Sequence, residues 1–244
     1  MDEKTRTAVT ALTTRLKEVF SDDLLAVVLY GSAVSDSYCE GVSDINIMII
    51  LEKCNVARLS AFGKVAKTIL RKYRISPFIM TREEFVTAAD VFLIEYCDIL
   101  DANEVVYGSG DVLKAITVSM ENLRLQLEEK LRGAVGDIRG MLIAAGGNEK
   151  LLKKFILGWS SLGGVLFRAL LRLKGKNIAD LDDEATIALV EKEYGVSLEG
   201  FSVLNSLRQS KKIKSIAATA FAEKLLNALG VLVQIVDAME RKTK

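Results

Sequence analysis

The chain has 244 residues, 50% of them hydrophobic, and a formal net charge of +1 from 33 Lys and Arg against 32 Asp and Glu. That length allows one large domain or two modest ones, and the near-zero charge gives no push toward nucleic acid or an anionic membrane. Histidine is absent, which excludes Ser-His-Asp and Cys-His nucleophiles, histidine general bases and every zinc site that needs imidazole.

In chain order, Val9, Leu12, Leu16 and Val19 have helical spacing with charges between them, so a first helix is predicted over 5–20. LLAVVLY, 24–30, is continuously apolar and rich in β-branched residues, as a buried strand is. DINIMIIL, 44–51, reads as a second strand. Met48 and Ile50 fall on one of its faces and Ile47, Ile49 and Leu51 on the other, which suits a central strand covered on both sides. Asn55 is placed to cap a helix over 56–73 with Val56, Leu59, Val65, Ile69 and Tyr73 on its apolar side. The cations of LRKYR, 70–74, then suit the dipole at that helix's end. ISPFIM, 75–80, is a third short strand, and Pro77, the only proline, marks an edge or an irregularity there. Thr81 and Glu84 form a capping box for a helix running to 96. VVYG, 105–108, gives the last strand signal.

After Gly108 helical periods take over, near 112–144, 149–174, 183–194, 198–208 and 215–240, with Gly146, Gly147, Gly175 and Gly195 at the breaks. In the last helix Phe221, Leu225, Leu229, Leu232 and Val236 share one face, and Asn227, Gln234 and Asp237 argue against a membrane span. The pattern is an α+β domain at 1–110 followed by an all-α helical bundle at 111–244. Cys39, Cys54 and Cys97 are odd in number and widely spaced, and MDEKTRTAVT lacks an apolar signal core, so reduced thiols in a cytoplasmic protein are expected. Trp159, in GWSSLGG, sits among small residues that allow close helix packing, either in the core or between two copies of the chain; substrate stacking is the other reading.

The chemistry concentrates in LYGSAVSDSYCEGVSDINIMIIL, 29–51. Gly31 lets the backbone turn sharply after the first strand and approach a ligand. A short helix opening at Ser32 would point N–H groups and a favourable dipole at an anion, such as a nucleoside triphosphate tail. Asp44 and Asn46 lie two apart and project from one face of the second strand, where two oxygen ligands can meet a phosphate-bound Mg²⁺. Asp36 and Glu40, in the intervening loop, read as solvated charge.

YGSAVSDSYCEGVSDIN resembles the signature of the DNA polymerase β-like nucleotidyltransferases, Gly-Ser, a spacer and then Asp-x-Asp. The likeness is to antibiotic adenylyltransferases of the streptomycin/spectinomycin and kanamycin kind. It covers about residues 20–108, and over the bundle it is architectural only. It implies a mixed sheet with flanking helices, a cleft between this domain and the bundle, and Mg²⁺ carried with the nucleotide. It also implies transfer of a nucleoside monophosphate to a hydroxyl on a small-molecule or protein acceptor. Gly31 and Ser32 would bind the phosphates, Asp44 would ligate Mg²⁺, and Asn46 stands at the second aspartate position. Lys211 and Lys212, with Lys214 in RQSKKIKS, would reach the triphosphate from the bundle; as a sequence the stretch also reads as a solvated basic loop. The family's third carboxylate belongs on the next strand, but RISPFIM has no acid. Asn supplies a neutral oxygen and no charge, so both departures remove negative charge. Glu95, Asp98 and Asp101 would substitute only if their segment folds toward the site. The alternative function is a catalytically impaired relative acting as a nucleotide-binding or protein-interaction module. Helical ribonucleases that pair with minimal nucleotidyltransferases need a histidine and are excluded.

Overall fold

The apolar runs of the first half assemble into a four-stranded sheet of order β3-β2-β1-β4. The computed structural model describes residues 3–34, 44–158, 162–178, 181–210 and 217–240. The chain divides into two units, Met1–Ser119 and Met120–Lys244.

The first unit comprises α1 (Glu3–Phe20), β1 (Leu24–Tyr30), β2 (Ile45–Leu51), α2 (Val56–Lys72), β3 (Ile75–Thr81), α3 (Arg82–Thr87), α4 (Leu93–Asp101) and β4 (Asn103–Gly108). β1 runs antiparallel to β2 and β4, whereas β2 and β3 are parallel. Parallel neighbours need a crossover, and α2 supplies it. The two faces of β2 separate two cores, as its double apolar pattern predicts. Ile47, Ile49 and Leu51 join Val27 and Leu29 under α1 and α2, with Leu12, Leu16 and Phe62. Met48 and Ile50 join Ala26 and Val28 against Phe85 of α3 and Tyr96 and Ile99 of α4. Each fully buried aliphatic side chain contributes about 1.5–3 kcal/mol of transfer free energy, so β2 anchors both layers.

Local signals hold where capping chemistry is involved. Asn55 Oδ1 accepts the Arg58 N–H at 2.9 Å and caps α2. Thr81 and Glu84 form the reciprocal capping box that opens α3. Pro77 lies on β3, an edge strand of the sheet.

Several expectations need correction. Leu59, Ile69 and Tyr73 of α2 pack on the core as expected, but Val56 and Val65 are 83% and 47% exposed, and Phe62 and Ala66 take the buried places instead. The helix expected to run from Thr81 to 96 stops at Thr87, passes through a 3₁₀ turn at Ala88–Asp90 and restarts at Leu93. That break folds α4 back on α3. The Tyr96 hydroxyl then donates to the Phe85 carbonyl at 2.7 Å, and the two rings meet edge-on at 5.0 Å. β4 begins two residues before the apolar signal, with Asn103 and Glu104 pairing to Tyr30 and Leu29.

The second unit comprises α5 (Met120–Ala145), α6 (Glu149–Gly158), α7 (Leu162–Leu173), α8 (Asp183–Tyr194), α9 (Glu199–Ser210) and α10 (Ala218–Glu240). The helix predicted from 112 begins at Met120, after a 3₁₀ turn at Gly110–Ala115; within the span predicted at 149–174, the described residues Glu149–Gly158 and Leu162–Leu173 are helical. The apolar face read for the last helix is buried: Phe221, Leu225, Leu229, Leu232 and Val236 are all 6% exposed or less. By length and composition α10 is apolar enough to cross a membrane, but that face is packed inside the unit. Arg124 of α5, 7% exposed, donates to Glu128 at 2.8 Å and to the Val236 carbonyl at 3.3 Å, tying α5 to α10. Glu149, which opens α6, accepts N–H bonds from Ala218 and Thr219 and so caps the start of α10. The Thr219 hydroxyl, which also donates to it, and then those N–H bonds hold its carboxyl below the usual glutamate range.

Candidate functional site

Pairing register places one polar residue from each strand in a row across one end of the sheet. Asn46 on β2 pairs with Tyr30 on β1 and with Ser76 on β3, and Tyr30 pairs with Asn103 on β4. Register partners point to one face, here the face covered by α3 and α4. The next row inward, Phe78, Met48, Val28 and Val105, is apolar. The polar row therefore marks where the run of apolar rows on this face ends.

Gly31 follows Tyr30 directly. Its φ is +72°, a conformation glycine adopts without cost, and its N–H donates to the Ala102 carbonyl at 3.2 Å. A Cβ built on Gly31 would stand 3.4 Å from the Asn46 side-chain nitrogen. Gly31 and Asn46, fifteen positions apart in the sequence, are thus close neighbours in space. Residues Gly31–Val34 form a single 3₁₀ turn. The short helix expected at Ser32 is this turn alone among the described residues, and four residues are too few for a macrodipole argument.

Asp44 precedes β2, on the same side as Asn46, and its side chain is 53% exposed. Arg74 Nε donates to its Oδ1 at 2.9 Å. Arg71 and Lys72 do lie in the last turn of α2, as the cations of LRKYR suggest. Arg74 does not serve that helix end: it lies past it with φ +52°, just before β3.

Tyr30 is 9% exposed. Burial first, then the negative charges of Glu95 and Asp98 on α4, push its phenol up to about 12. Two of the three acids considered as substitutes therefore lie close enough to act on a residue of the polar row. This gives a pH prediction. An unfolded tyrosine titrates near 10, so between pH 10 and about 12 the unfolded chain gives up a proton that folded Tyr30 keeps. Its contribution is fully present below pH 10 and falls by roughly 1.4 kcal/mol per pH unit above it. Urea unfolding of the wild type and of Tyr30→Phe at pH 9, 10.5 and 11.5 should show that much less alkaline loss in the variant.

Among the described residues the donor set does not fit a divalent ion held by the protein itself. Asp44 is one carboxylate, and it is engaged by Arg74. Asn46 is neutral. β3 presents Ser76 beside Asn46 and carries no acid. Among the described residues no three Asp, Glu, Cys or His side chains come together as a metal-ligand group. Lys211, Lys212 and Lys214 lie outside the described residues, as do Asp36, Cys39, Glu40 and Trp159. Cys54 and Cys97 are free thiols, the first exposed and the second buried.

The sequence reading missed Arg74 and Tyr30 as members of the site. Tyr30 carried a usable signal, since it ends an otherwise aliphatic strand next to the Gly-Ser turn. Arg74 carried none without the β2–β3 register.

No family model matches the chain, and no curated protein matches it. Among solved structures the chain is similar to spectinomycin adenyltransferase AAD(9) from Enterococcus faecialis, crystallised with ATP and spectinomycin, with a TM-score of 0.60 and 13% identity. The match covers 92% of this chain and 99% of that one. The fold is therefore nucleotidyltransferase-like, a mixed sheet with flanking helices followed by a helical region.

Proposed function

We propose that the first unit is a nucleotide-binding module that holds the phosphate tail of a nucleoside triphosphate against the Gly31–Ser32 turn, with efficient transfer of the nucleoside monophosphate lost. One observation carries the reading. The turn and the Asp44-x-Asn46 pair, which sequence alone could only suggest were neighbours, lie side by side at the polar end of the sheet, with Gly31 close to the Asn46 side chain. The likeness in fold to an adenyltransferase crystallised with ATP supports the ligand class. The missing charge supports the loss of transfer, because a two-metal displacement needs several carboxylates to hold its ions and a base for the acceptor hydroxyl. A Mg²⁺ arriving with the nucleotide would draw its ligands from the phosphates, since Asp44 is already paired with Arg74.

The test is calorimetric titration with ATP, GTP, CTP and UTP, and with inorganic triphosphate. Triphosphate binding is expected, and Ser32→Ala should weaken it by roughly 3- to 10-fold, the value of one hydroxyl hydrogen bond. Absence of binding by all five compounds, or an unchanged affinity in Ser32→Ala, contradicts the reading. Transfer of labelled nucleoside monophosphate at an ordinary enzymatic rate would contradict its second half.

A further inference from the structure

β2 and β3 run parallel with Ile45 beside Ile75 and Asn46 beside Ser76. One step earlier on each chain stand Asp44 and Arg74. The Ile45 N–H donates to the Arg74 carbonyl at 3.0 Å, which fixes the Arg74 backbone at the mouth of β2. The side chain then returns its Nε to Asp44 at 2.9 Å. Thus a cation of this chain meets the carboxylate of the Asp44-x-Asn46 pair.

The backbone adds a second, independent indication. α2 ends at Lys72 with Tyr73 as its C-cap, so Arg74 occupies the following position, with φ +52°. Helices commonly place glycine there, because only glycine adopts the left-handed conformation without a Cβ penalty. Glycine would make this turn more cheaply. The residue that stands there instead carries the guanidinium that meets Asp44.

Charge decides what the pair does. A phosphate approaching Asp44 alone is repelled, and metal-dependent sites overcome that with a divalent ion between carboxylate and phosphate. Here a guanidinium already pairs with the carboxylate, and it repels a second cation placed on the same oxygens. We propose that Arg74 is the resident cation of this site: its guanidinium takes the place of a divalent ion at Asp44, so phosphate binding at the Gly31–Ser32 turn requires no metal. The inference rests on the phosphate-site reading above and deepens it.

The experiment is titration of the full chain with ATP in excess EDTA and in excess Mg²⁺, for the wild type, Arg74→Gly and Asp44→Asn. Glycine suits the left-handed backbone, so Arg74→Gly should stay folded, which its thermal melt checks. The wild type should bind with affinities that agree within about twofold in the two conditions. Arg74→Gly should lose roughly tenfold or more in EDTA, the scale of one charge-assisted contact. Asp44→Asn should bind more tightly in EDTA, because the guanidinium is released toward the phosphate; a metal ligand lost at the same position would weaken binding instead. ATP binding by the wild type that depends on Mg²⁺ overturns the inference and leaves the phosphate site standing. Metal-free binding unaffected by Arg74→Gly overturns the assignment to Arg74. Absence of ATP binding in both conditions overturns the phosphate-site reading as well.

Discussion

Replacing Gly108 with alanine should cost the first unit about 3 kcal/mol or more, enough to unfold a domain of ordinary stability. Gly108 ends β4 and pairs with Ala26 on β1. The β1–β4 ladder shifts register between Val27 and Val28, and the β1–β2 ladder shifts between Leu24 and Ala26. Those irregularities bring the Leu25 carbonyl into the space beside Gly108. A Cβ there would lie 1.9 Å from the Leu25 oxygen and 3.0 Å from the Ala26 Cα. Both are backbone atoms in the central strand pairing, so neither can yield without breaking the ladder. A φ of +83° adds its own strain for any residue with a side chain. Equilibrium urea unfolding at 25 °C measures the loss. A variant within 1 kcal/mol of the wild type would show that this end of the sheet can relax, and with it the close packing that sets the polar row at the other end.

Gly31→Val should abolish most nucleotide binding, with a loss of at least tenfold, while costing only about 1–2 kcal/mol in stability. The stability cost follows from φ +72°, which a β-branched residue adopts under strain. The larger effect is on the ligand. The first carbon of the new side chain would stand 3.4 Å from the Asn46 nitrogen, and the branch would have to enter the approach between the turn and the Asp44-x-Asn46 pair. The Gly31 N–H bond to Ala102 holds the turn to the end of α4, so the backbone has little freedom to move the branch away. Calorimetry with ATP and urea unfolding on the same preparation separate the two effects. Unchanged affinity in a folded Gly31→Val protein would remove the turn from the binding surface.

Much of this fold is legible in the sequence where the determinant is local. The capping box at Thr81, the Asn55 cap, the aliphatic runs of β1 and β2 and the five-residue stripe of α10 each depend on neighbours within a turn or two. The two-faced pattern of β2 correctly implied layers on both sides. What failed depended on contacts made at a distance. The break between α3 and α4 lets Phe85 and Tyr96 meet, an attraction that helical period cannot reveal. Val56 and Val65 looked apolar enough to face the core, but Phe62 and Ala66 take the buried places beside Leu59 and Ile69, and a helix turns only one stripe inward.

The site divides in the same way. Gly31, Ser32, Asp44 and Asn46 follow from strand-turn-strand spacing, and the structure brings Gly31 close to Asn46. The Asp44–Arg74 pair spans thirty positions and depends on β3 running parallel to β2 in one register. A shift of one residue would send Arg74 to the other face. The nearness of Glu95 and Asp98 to Tyr30 likewise depends on where α4 restarts after its break.

The central claim is that a triphosphate sits on the Gly31–Ser32 turn beside Asn46. The most direct measurement is an amide-resolved nuclear magnetic resonance titration of the isotope-labelled chain with ATP, repeated with inorganic triphosphate. The account predicts saturable shifts of the Gly31 and Ser32 backbone amides and of the Asn46 side-chain amide, reproduced by triphosphate alone. Saturable ATP binding that moves other residues and leaves those three signals in place would contradict it.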